Sequence, residues 1–310
     1  MKPRILLIGK NGQIGSELAY LLPEIAETIA VGRQELDLAN ILDIRAVIRQ
    51  VCPSLIVNAA AYTAVDHAEQ DETTARLVNA EAPAVMAEEA NQIGAALVHY
   101  STDYVFDGRT NSPYEECDLT NPLNVYGQTK LAGEVAIRKS GVPHLIFRTA
   151  WVYSTSGKNF LLTILRLASQ REELRVVRDQ SGAPTWSREI AQATGIILKQ
   201  IAEQKEGVFD FSGIGGTYHM TAAGVTTWYD FAVAILEETS HLGQVPACLA
   251  SATNGVPLRA ERIIPITTDQ YPTAAVRPAY SVLSNALLKK TFSVSLREWR
   301  VQLHAAFWPN

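Results

Sequence analysis

The chain has 310 residues, of which 47% are hydrophobic and 19% are charged, and its formal net charge is −5 at pH 7. A chain of this length folds as one large domain or as two ordinary ones. The negative charge argues against a general nucleic-acid-binding protein, which usually has a surplus of basic residues, but it allows a local pocket for a small phosphate ligand.

The first half of the chain alternates short β-branched runs with amphipathic segments. The runs predict strands at RILLIG, ETIAVG, SLIVNAA, ALVHYST and HLIFRTA, and the segments predict helices at SELAYLL, ILDIRAVIRQ and APAVMAEEANQIG. Strands that alternate with helices are typical of a parallel sheet. Because the strand runs are almost continuously apolar, helices are expected on both sheet faces. The predicted fold class is therefore α/β, a Rossmann-type doubly wound parallel sheet.

A further helix is predicted around the stretch NVYGQTKLAGE. Asn121 is a candidate N-cap with Pro122 in the first helical position, and Gly141 is a candidate C-cap with Pro143 just beyond it. On this helix Tyr126 and Lys130 are four residues apart, so their side chains are expected on one face. Taken alone, that spacing is more typical of a solvated helix face than of a catalytic pair.

After Tyr153 the regular alternation ends. RDQSGAPTWS is rich in turn residues, and a helix is predicted to begin at Thr226 or Thr227 after a glycine-rich stretch. The predicted organisation is a dinucleotide-binding domain at 1–153 and a smaller, irregular C-terminal substrate domain at 154–310. Some segments of the second part are expected to return to the first.

The cysteines and the N-terminus indicate a cellular compartment. Cys52, Cys117 and Cys248 are far apart and form no C-x-x-C pair, so a reducing compartment is expected rather than a disulfide framework or a zinc site. The apolar run from Ile5 to Ile8 is too short for a signal peptide, and no apolar stretch has the length of a membrane span. The sequence therefore predicts a cytoplasmic protein with no membrane and no nucleic-acid partner.

A glycine pattern follows the first predicted strand. Gly9, Gly12 and Gly15 form G-x-x-G-x-x-G between that strand and a helix. Glycine permits a tight turn and a close approach of phosphate, and the helix N-terminus offers N–H groups to a pyrophosphate. A tight turn without a ligand is the competing interpretation. The position in the first βαβ unit favours dinucleotide binding.

The end of the second strand bears on the choice of cofactor. An acidic residue there would bind the adenosine ribose of NAD, but the strand ends at Gly32 and Arg33. Arginine suits a 2′-phosphate, so NADPH is the preferred prediction and NADH stays open. The alternative is a solvent-exposed Arg33 near Glu35 and Asp37.

A phenol, an ammonium and a strand-end hydroxyl together suggest carbonyl reduction. Thr102 lies at the carboxyl end of the fourth strand, where ligands bind in open α/β sheets. The Tyr126 phenol is protonated at pH 7, and the charge of Lys130 would stabilise its phenolate. Tyr126 can then act as a general acid toward a carbonyl oxygen while a nicotinamide supplies hydride. An ordinary strand-end turn is the competing interpretation of Thr102 alone.

These features in this order resemble the extended short-chain dehydrogenase/reductase superfamily. GKNGQIG, VNAAAYTAVDHAE, HYSTDYVFDG, PLNVYGQTKLAGE, DQSGAPTW and TTWYDFA are similar to the dTDP-4-dehydrorhamnose reductases, over almost the whole chain. The resemblance implies NAD(P)H-dependent reduction of dTDP-4-dehydro-L-rhamnose at C4 to dTDP-L-rhamnose. It implies catalytic roles for Thr102, Tyr126 and Lys130.

The same resemblance implies binding roles for other residues. Substrate contacts would come from Thr102, Asp103 and Trp151, and Arg277 is a candidate partner of the pyrophosphate because arginine binds phosphate oxygens in pairs. Core packing is the competing interpretation of Trp151. The cofactor contacts would come from Gly9, Gly12, Gln13, Ile14, Gly15, Arg33, Asp37, Leu38, Ala61, Tyr62, Thr63, Tyr126 and Lys130.

Two departures limit what the resemblance implies. Gly32 differs from the hydrophilic residue that many members have after the second strand, so the cofactor preference cannot be transferred. Some members bind magnesium between subunits through glutamates. Glu17 matches one such position, but Arg188 falls where another glutamate would be, next to Glu189. A magnesium-bridged dimer is therefore doubtful, and no metal ligand is predicted; a homodimer as such stays open.

Three alternatives are retained. Another nucleotide-sugar reductase, or an epimerase that keeps its cofactor through the cycle, would share these motifs. A non-catalytic regulatory subunit, resembling that of methionine adenosyltransferase, would share the fold, although Thr102, Tyr126 and Lys130 are all intact. The six histidines show no metal-binding spacing, which argues against a metalloenzyme.

Overall fold

The computed structural model describes residues 3–205, 207–242 and 245–308. Its centre is a six-stranded parallel sheet with the strand order β10-β5-β4-β3-β1-β2. The six strands are β1 Arg4–Ile8, β2 Glu27–Val31, β3 Leu55–Asn58, β4 Ala96–Thr102, β5 His144–Thr149 and β10 Gly216–His219. The five strands that the sequence predicts in the first half are present, and the α/β class with a parallel sheet is confirmed.

Alternate side chains of each strand enter two different hydrophobic cores. Ile5 and Leu7 of β1 point into one core, whereas Leu6 and Ile8 point into the other. This is the two-residue period of a strand that is covered on both faces. The continuous apolar runs in the sequence have this physical origin, and the sheet is doubly wound.

Helices cover both faces of the sheet. Helices α2 (Ile41–Val51), α5 (Ala82–Ile93) and α6 (Val125–Ser140) pack on one face, and α1 (Gln13–Leu21) and α8 (Ser187–Gln204) pack together on the other. The bounds of the helices in the first half are α1 Gln13–Leu21, α2 Ile41–Val51, α3 Val65–Ala68, α4 Glu72–Arg76, α5 Ala82–Ile93 and α6 Val125–Ser140, with a π-helical turn at Leu77–Glu81 and 3₁₀ turns at Leu22–Glu24 and Asp103–Val105.

The second half contributes to the sheet and also builds a separate core. Strand β10 pairs with β5, and α8 packs on α1, so both lie with the first half. The other core is formed largely by α7, α9 and α12. The helices are α7 Phe160–Gln170, α8 Ser187–Gln204, α9 Trp228–Leu242, α10 Ala250–Thr253, α11 Ala286–Phe292 and α12 Trp299–Phe307.

The remaining strands are short and pair in twos. Strands β7 and β12 are parallel, β6 and β9 are parallel, and β8 and β11 are antiparallel. Their bounds are β6 Val152–Tyr153, β7 Glu173–Val177, β8 Ser181–Gly182, β9 Thr185–Trp186, β11 Thr226–Thr227 and β12 Arg262–Ile266. Within the described residues, no helix is long and apolar enough to cross a membrane.

The predicted start of the helix that bears Tyr126 was wrong. Helix α6 begins at Val125, and its N-cap is Asn124, whose side chain accepts a hydrogen bond from the Gly127 N–H at 2.8 Å. Asn121 lies before the helix, where its side chain donates to Asp107 and its N–H donates to the Val105 carbonyl. The predicted C-cap, Gly141, is confirmed in the left-handed region with φ +76°.

Candidate active site

The glycine loop after β1 is closely packed and leaves the start of α1 open. Gly9 has φ +95°, and a Cβ at this position would lie 2.8 Å from the backbone nitrogen of Ala60. A Cβ on Gly15 would overlap the Gly9 carbonyl oxygen. Helix α1 begins at Gln13, and no side chain caps it at Gly12. The first N–H groups of α1 are thus available to an anion, and the loop fits a cofactor pyrophosphate.

The loop after β3 lies next to the glycine loop because β1 and β3 are neighbours where the strand order reverses. Ala61, Tyr62 and Thr63 are in this loop and are partly or fully accessible. Buried Asn79, in the π-helical turn, accepts from the Tyr62 N–H at 2.9 Å and donates to the Tyr62 carbonyl at 3.0 Å. It also donates to Thr129 on α6 at 3.3 Å. Asn79 therefore ties this loop to α6, and sequence reasoning missed it.

The residues after β2 are arranged around Glu35. Its carboxylate accepts hydrogen bonds from Lys10 at 2.6 Å and from the Gly32 N–H at 2.9 Å, and the Lys10 bond is the main cause that lowers the pKa of Glu35.

Arg33 is exposed. Asp37 accepts from the Ala39 N–H at 3.1 Å. Leu38 is buried in the core. Arg33 is thus accessible to a ligand, and nothing in its geometry identifies that ligand.

Thr102 and Tyr126 meet at the carboxyl end of β4. The Thr102 hydroxyl donates to the Asp103 carboxylate at 3.0 Å and accepts from the Tyr104 N–H at 3.1 Å. Burial raises the pKa of the Tyr126 phenol to about 12, and a hydrogen bond with Thr102 acts in the opposite direction. The Tyr104 ring meets the Tyr126 ring edge-on, with centroids 5.8 Å apart. Tyr126 is consequently a protonated phenol at neutral pH.

Lys130 is buried one helical turn beyond Tyr126. Its ammonium nitrogen lies 2.6 Å from the Tyr100 carbonyl oxygen and 3.2 Å from His99 Nε2. Burial lowers the pKa of Lys130 to about 8, and the charge of Glu134 opposes this shift. The solvated helix face that the spacing alone would favour is therefore wrong for Lys130. His99 is a second residue that sequence reasoning missed, although a histidine in an otherwise apolar strand was a visible signal.

Glu134 is the centre of a buried ion-pair network behind Lys130. Arg148 of β5 donates two hydrogen bonds to its carboxylate, at 2.9 and 2.7 Å, and Arg138 donates a third at 3.0 Å. Burial would raise the pKa of Glu134, but the Arg148 bonds bring it below its usual value. The network attaches α6, which carries Tyr126 and Lys130, to the sheet.

Asp103 follows β4, and Trp151 comes just after the neighbouring strand β5. Asp103 is buried, and this burial raises the pKa of its carboxyl to about 6. Trp151 follows β5 in the left-handed region with φ +48°, an uncommon conformation for a bulky side chain. Its ring stacks on Trp228 with centroids 3.5 Å apart and an interplanar angle of 5°. A Cβ on Gly182 would overlap the Trp151 indole, so that position must be glycine for this arrangement.

Arg277 is paired with Asp66. Its two terminal nitrogens donate to the two Asp66 carboxylate oxygens at 3.0 and 2.6 Å, and the Ala275 N–H also donates to Asp66 at 3.1 Å. These bonds attach the 272–279 segment to α3. The Arg277 bonds are the main cause that lowers the pKa of Asp66. In this structure the guanidinium binds a carboxylate, so a phosphate would have to share it.

The candidate magnesium position contains an ion pair. The Arg188 guanidinium donates to Glu17 at 3.2 Å, and Glu189 pairs with Arg297. Across the part of the chain that the structure describes, no group of three or more acidic, histidine or cysteine side chains could hold a metal ion.

Comparisons with known proteins agree along the whole chain. A family model described as RmlD substrate binding domain matches residues 1–310. A dTDP-4-dehydrorhamnose reductase of Burkholderia thailandensis is 46% identical over 298 residues, which cover 96% of this chain and 95% of that protein. A dTDP-4-dehydrorhamnose reductase of Escherichia coli K12 is 41% identical, with coverage of 96% and 94%.

Solved structures give the same result. The dTDP-4-dehydrorhamnose reductase of Bacillus anthracis in complex with NADP has a TM-score of 0.85 and 31% identity, with both chains fully covered. The Clostridium acetobutylicum dTDP-4-dehydrorhamnose reductase has a TM-score of 0.84 and 35% identity, with 98% of both chains covered. A UDP-glucose 4-epimerase of Thermus thermophilus has a TM-score of 0.70 at 18% identity, which shows a shared fold alone. The chain therefore belongs to the RmlD substrate binding domain family, together with the dTDP-4-dehydrorhamnose reductases that it matches over nearly their whole length.

Proposed function

We infer that the chain reduces the C4 keto group of dTDP-4-dehydro-L-rhamnose and releases dTDP-L-rhamnose. The observation that carries this inference is the joint position of Thr102, Tyr126 and Lys130 around the carboxyl end of β4, on the same sheet edge from which α1 begins after β1. The full-length similarity to the Burkholderia thailandensis enzyme names the substrate. Geometry alone supports carbonyl reduction and does not distinguish one nucleotide sugar from another.

The proposed chemistry divides between protein and cofactor. A bound nicotinamide supplies hydride to the carbonyl carbon. The Tyr126 phenol donates its proton to the carbonyl oxygen, since it is the protonated general acid at this position. The Thr102 hydroxyl, which forms a hydrogen bond with that phenol, would orient the same oxygen once its hydrogen turns from Asp103 to the substrate. The Lys130 ammonium stabilises the phenolate that Tyr126 becomes, because a nearby positive charge favours the ionised form.

The cofactor would lie along the loops after β1, β2 and β3. The N–H groups of Gln13 and Ile14 would face the pyrophosphate, with Gly9, Gly12 and Gly15 allowing its close approach. Asp37 and Leu38 would lie near the adenine, and Ala61, Tyr62 and Thr63 near the middle of the cofactor. We propose NADPH as the preferred donor, since exposed Arg33 can reach a 2′-phosphate.

The sugar nucleotide would be held by groups on the other side of Tyr126. Asp103 adjoins Thr102 and can accept hydrogen bonds from sugar hydroxyls. The Trp151 indole offers an apolar surface to the sugar or the base. Arg277 would share its charge between Asp66 and the substrate pyrophosphate. A cytoplasmic location stays a prediction, and a homodimer stays open.

The test mixes the purified protein with dTDP-4-dehydro-L-rhamnose and follows nicotinamide absorbance with NADPH and NADH in parallel. Cofactor consumption with dTDP-L-rhamnose as product supports the reductase, and faster turnover with NADPH supports the role of Arg33. If cofactor binds but no reduction occurs, another nucleotide sugar becomes the first alternative and a regulatory subunit the second. Cofactor that remains bound through purification would favour an epimerase.

A further inference from the structure

A row of three buried polar side chains crosses from the sheet to α6. Asn58, the last residue of β3, is directly opposite His99 of β4 in the parallel register. Asn58 Nδ2 lies 3.1 Å from His99 Nδ1, and His99 Nε2 lies 3.2 Å from Lys130 Nζ. All three residues are 1% exposed, so water does not replace these contacts.

The orientation of the Asn58 amide is fixed by the chain that follows it. Its Oδ1 accepts a hydrogen bond from the Ala60 N–H at 3.1 Å. A flipped amide would place its NH₂ group against that N–H, donor against donor. The NH₂ group of Asn58 therefore faces His99, and His99 Nδ1 must accept.

His99 is then restricted to one tautomer. Burial, together with the charge of Lys130, holds the pKa of His99 well below its usual value, so the ring is neutral. A neutral imidazole has one N–H. Because Nδ1 accepts from Asn58, that hydrogen is on Nε2, which faces Lys130.

The Nε2–H group is complementary to an amine and not to an ammonium. An ammonium has three donors and no acceptor, whereas an uncharged amine has a lone pair that can accept from Nε2–H. The amine can still donate to the Tyr100 carbonyl at 2.6 Å. We propose that Asn58 and His99 are positioning residues for Lys130: Asn58 selects the Nε2–H tautomer of His99, and that N–H favours the amine of Lys130 over its ammonium.

Other ionisable groups around Lys130 act on the same equilibrium. Glu134 on α6 favours the ammonium, but its carboxylate is already paired with Arg148 and Arg138. Tyr126 is one turn away on α6, and the Asp103 carboxyl acts on Tyr126. Burial lowers the pKa of Lys130, and the Nε2–H group of His99 acts in the same direction. The Asn58–His99 pair thus adds to burial in setting the upper pH limit of the proposed reduction, which rests on the Lys130 ammonium as the form that supports Tyr126.

The direct test is the tautomer of His99 in the full-length protein, by ¹⁵N NMR of labelled histidines without substrate. The chain has six histidines, and His99→Gln identifies the signals of His99 by their loss. We expect the Nε2–H tautomer from pH 6 to 9. An Nδ1–H tautomer or an imidazolium in that range would overturn the inference, and this result does not depend on which substrate the enzyme takes.

The second test uses Asn58→Asp to select the opposite tautomer of His99. A carboxylate can only accept, so it requires Nδ1–H on His99 and leaves Nε2 as an acceptor for the Lys130 ammonium. We expect the Nδ1–H signal by NMR, and the alkaline fall of kcat/KM should move to higher pH by about one unit. Asn111→Asp makes the same charge change at an exposed position and should leave the fall where it is.

His99→Gln keeps the test decisive if Asn58→Asp does not fold. A glutamine amide can present its oxygen to the Lys130 ammonium, so the alkaline fall should again move upward. A folded, active variant with an unchanged pH profile would mean that His99 only fills space. A protein without reductase activity would overturn the proposed function, but the NMR assignment would still decide the tautomer.

Discussion

Tyr126 illustrates how the surroundings of a single side chain determine its proposed role. Its phenol is protonated at neutral pH because burial raises its pKa to about 12, while a hydrogen bond with Thr102 favours the phenolate. Lys130, one helical turn further along α6, would add the positive charge that the proposed mechanism requires. Replacing Tyr126 by phenylalanine removes the proton donor and little else. We expect turnover to fall by roughly 10² to 10⁴-fold while the cofactor still binds. Near-normal turnover, with binding checked by fluorescence titration, would exclude Tyr126 as the acid.

A pH profile follows from Lys130 at the same scale. The ammonium is the form that supports Tyr126, and burial lowers its pKa to about 8. The lysine is therefore charged below that pH and loses its proton as the pH rises through it. We expect kcat/KM to be constant below pH 8 and to fall above it, by about tenfold per unit. A profile that stays flat to pH 10 would show that the Lys130 charge is not required.

Sequence alone predicted Thr102, Tyr126 and Lys130 because their positions are local patterns, a strand end and a one-turn spacing. Asn58 and His99 were missed because they become partners only through the register of β3 and β4, which no local pattern encodes. Each polar residue in an apolar strand was visible, but a lone buried histidine more often belongs to the core. Their proposed role depends on a contact with Lys130, which lies on α6 and not on the sheet.

At the scale of elements, close approach of backbones decides how α6 is held. A Cβ on Gly133 of α6 would overlap the carbonyl oxygen of Asn79 in the π-helical turn. Gly133→Ala should therefore push α6 away and destabilise the fold by about 1–3 kcal/mol. Gly195→Ala on α8 is the matched control, since its Cβ would meet nothing within 4 Å. That control should stabilise by about 0.5–1 kcal/mol, measured by urea unfolding. Equal effects of the two changes would contradict the tight contact.

The start of α6 is a feature that the local sequence does not determine. Two asparagines three residues apart, Asn121 and Asn124, could each cap the helix, and Pro122 favoured the first. Asn124 is the cap, whereas Asn121 lies before the helix and donates to Asp107 and to the Val105 carbonyl. Those partners come from the loop after β4, so the choice between the two caps is tertiary. The strands could be predicted from the sequence because a short, almost continuously apolar run indicates a buried strand without reference to the rest of the fold.

At the scale of the whole molecule, the sheet is completed by residues far beyond position 153. Strand β10 pairs with β5, and the same core contains Ile197, Phe209 and Phe292. The predicted boundary at 153 leaves the core of α7, α9 and α12 in the second part, but it divides the core to which these three residues belong. We expect a fragment of residues 1–153 to lack cooperative unfolding, because one sheet face loses α8 as its cover. A fragment with a sharp thermal transition by circular dichroism would contradict this reading of the fold.

The fate of the transferred hydride distinguishes the proposed reduction from every alternative to it. NADPH deuterated at its transferable position is given with dTDP-4-dehydro-L-rhamnose, and the product sugar is analysed by NMR and mass spectrometry. We expect dTDP-L-rhamnose with a single deuterium at C4, and only a trace of this product from Tyr126→Phe. An unlabelled C4, or cofactor consumption without dTDP-L-rhamnose, would contradict the proposed reduction.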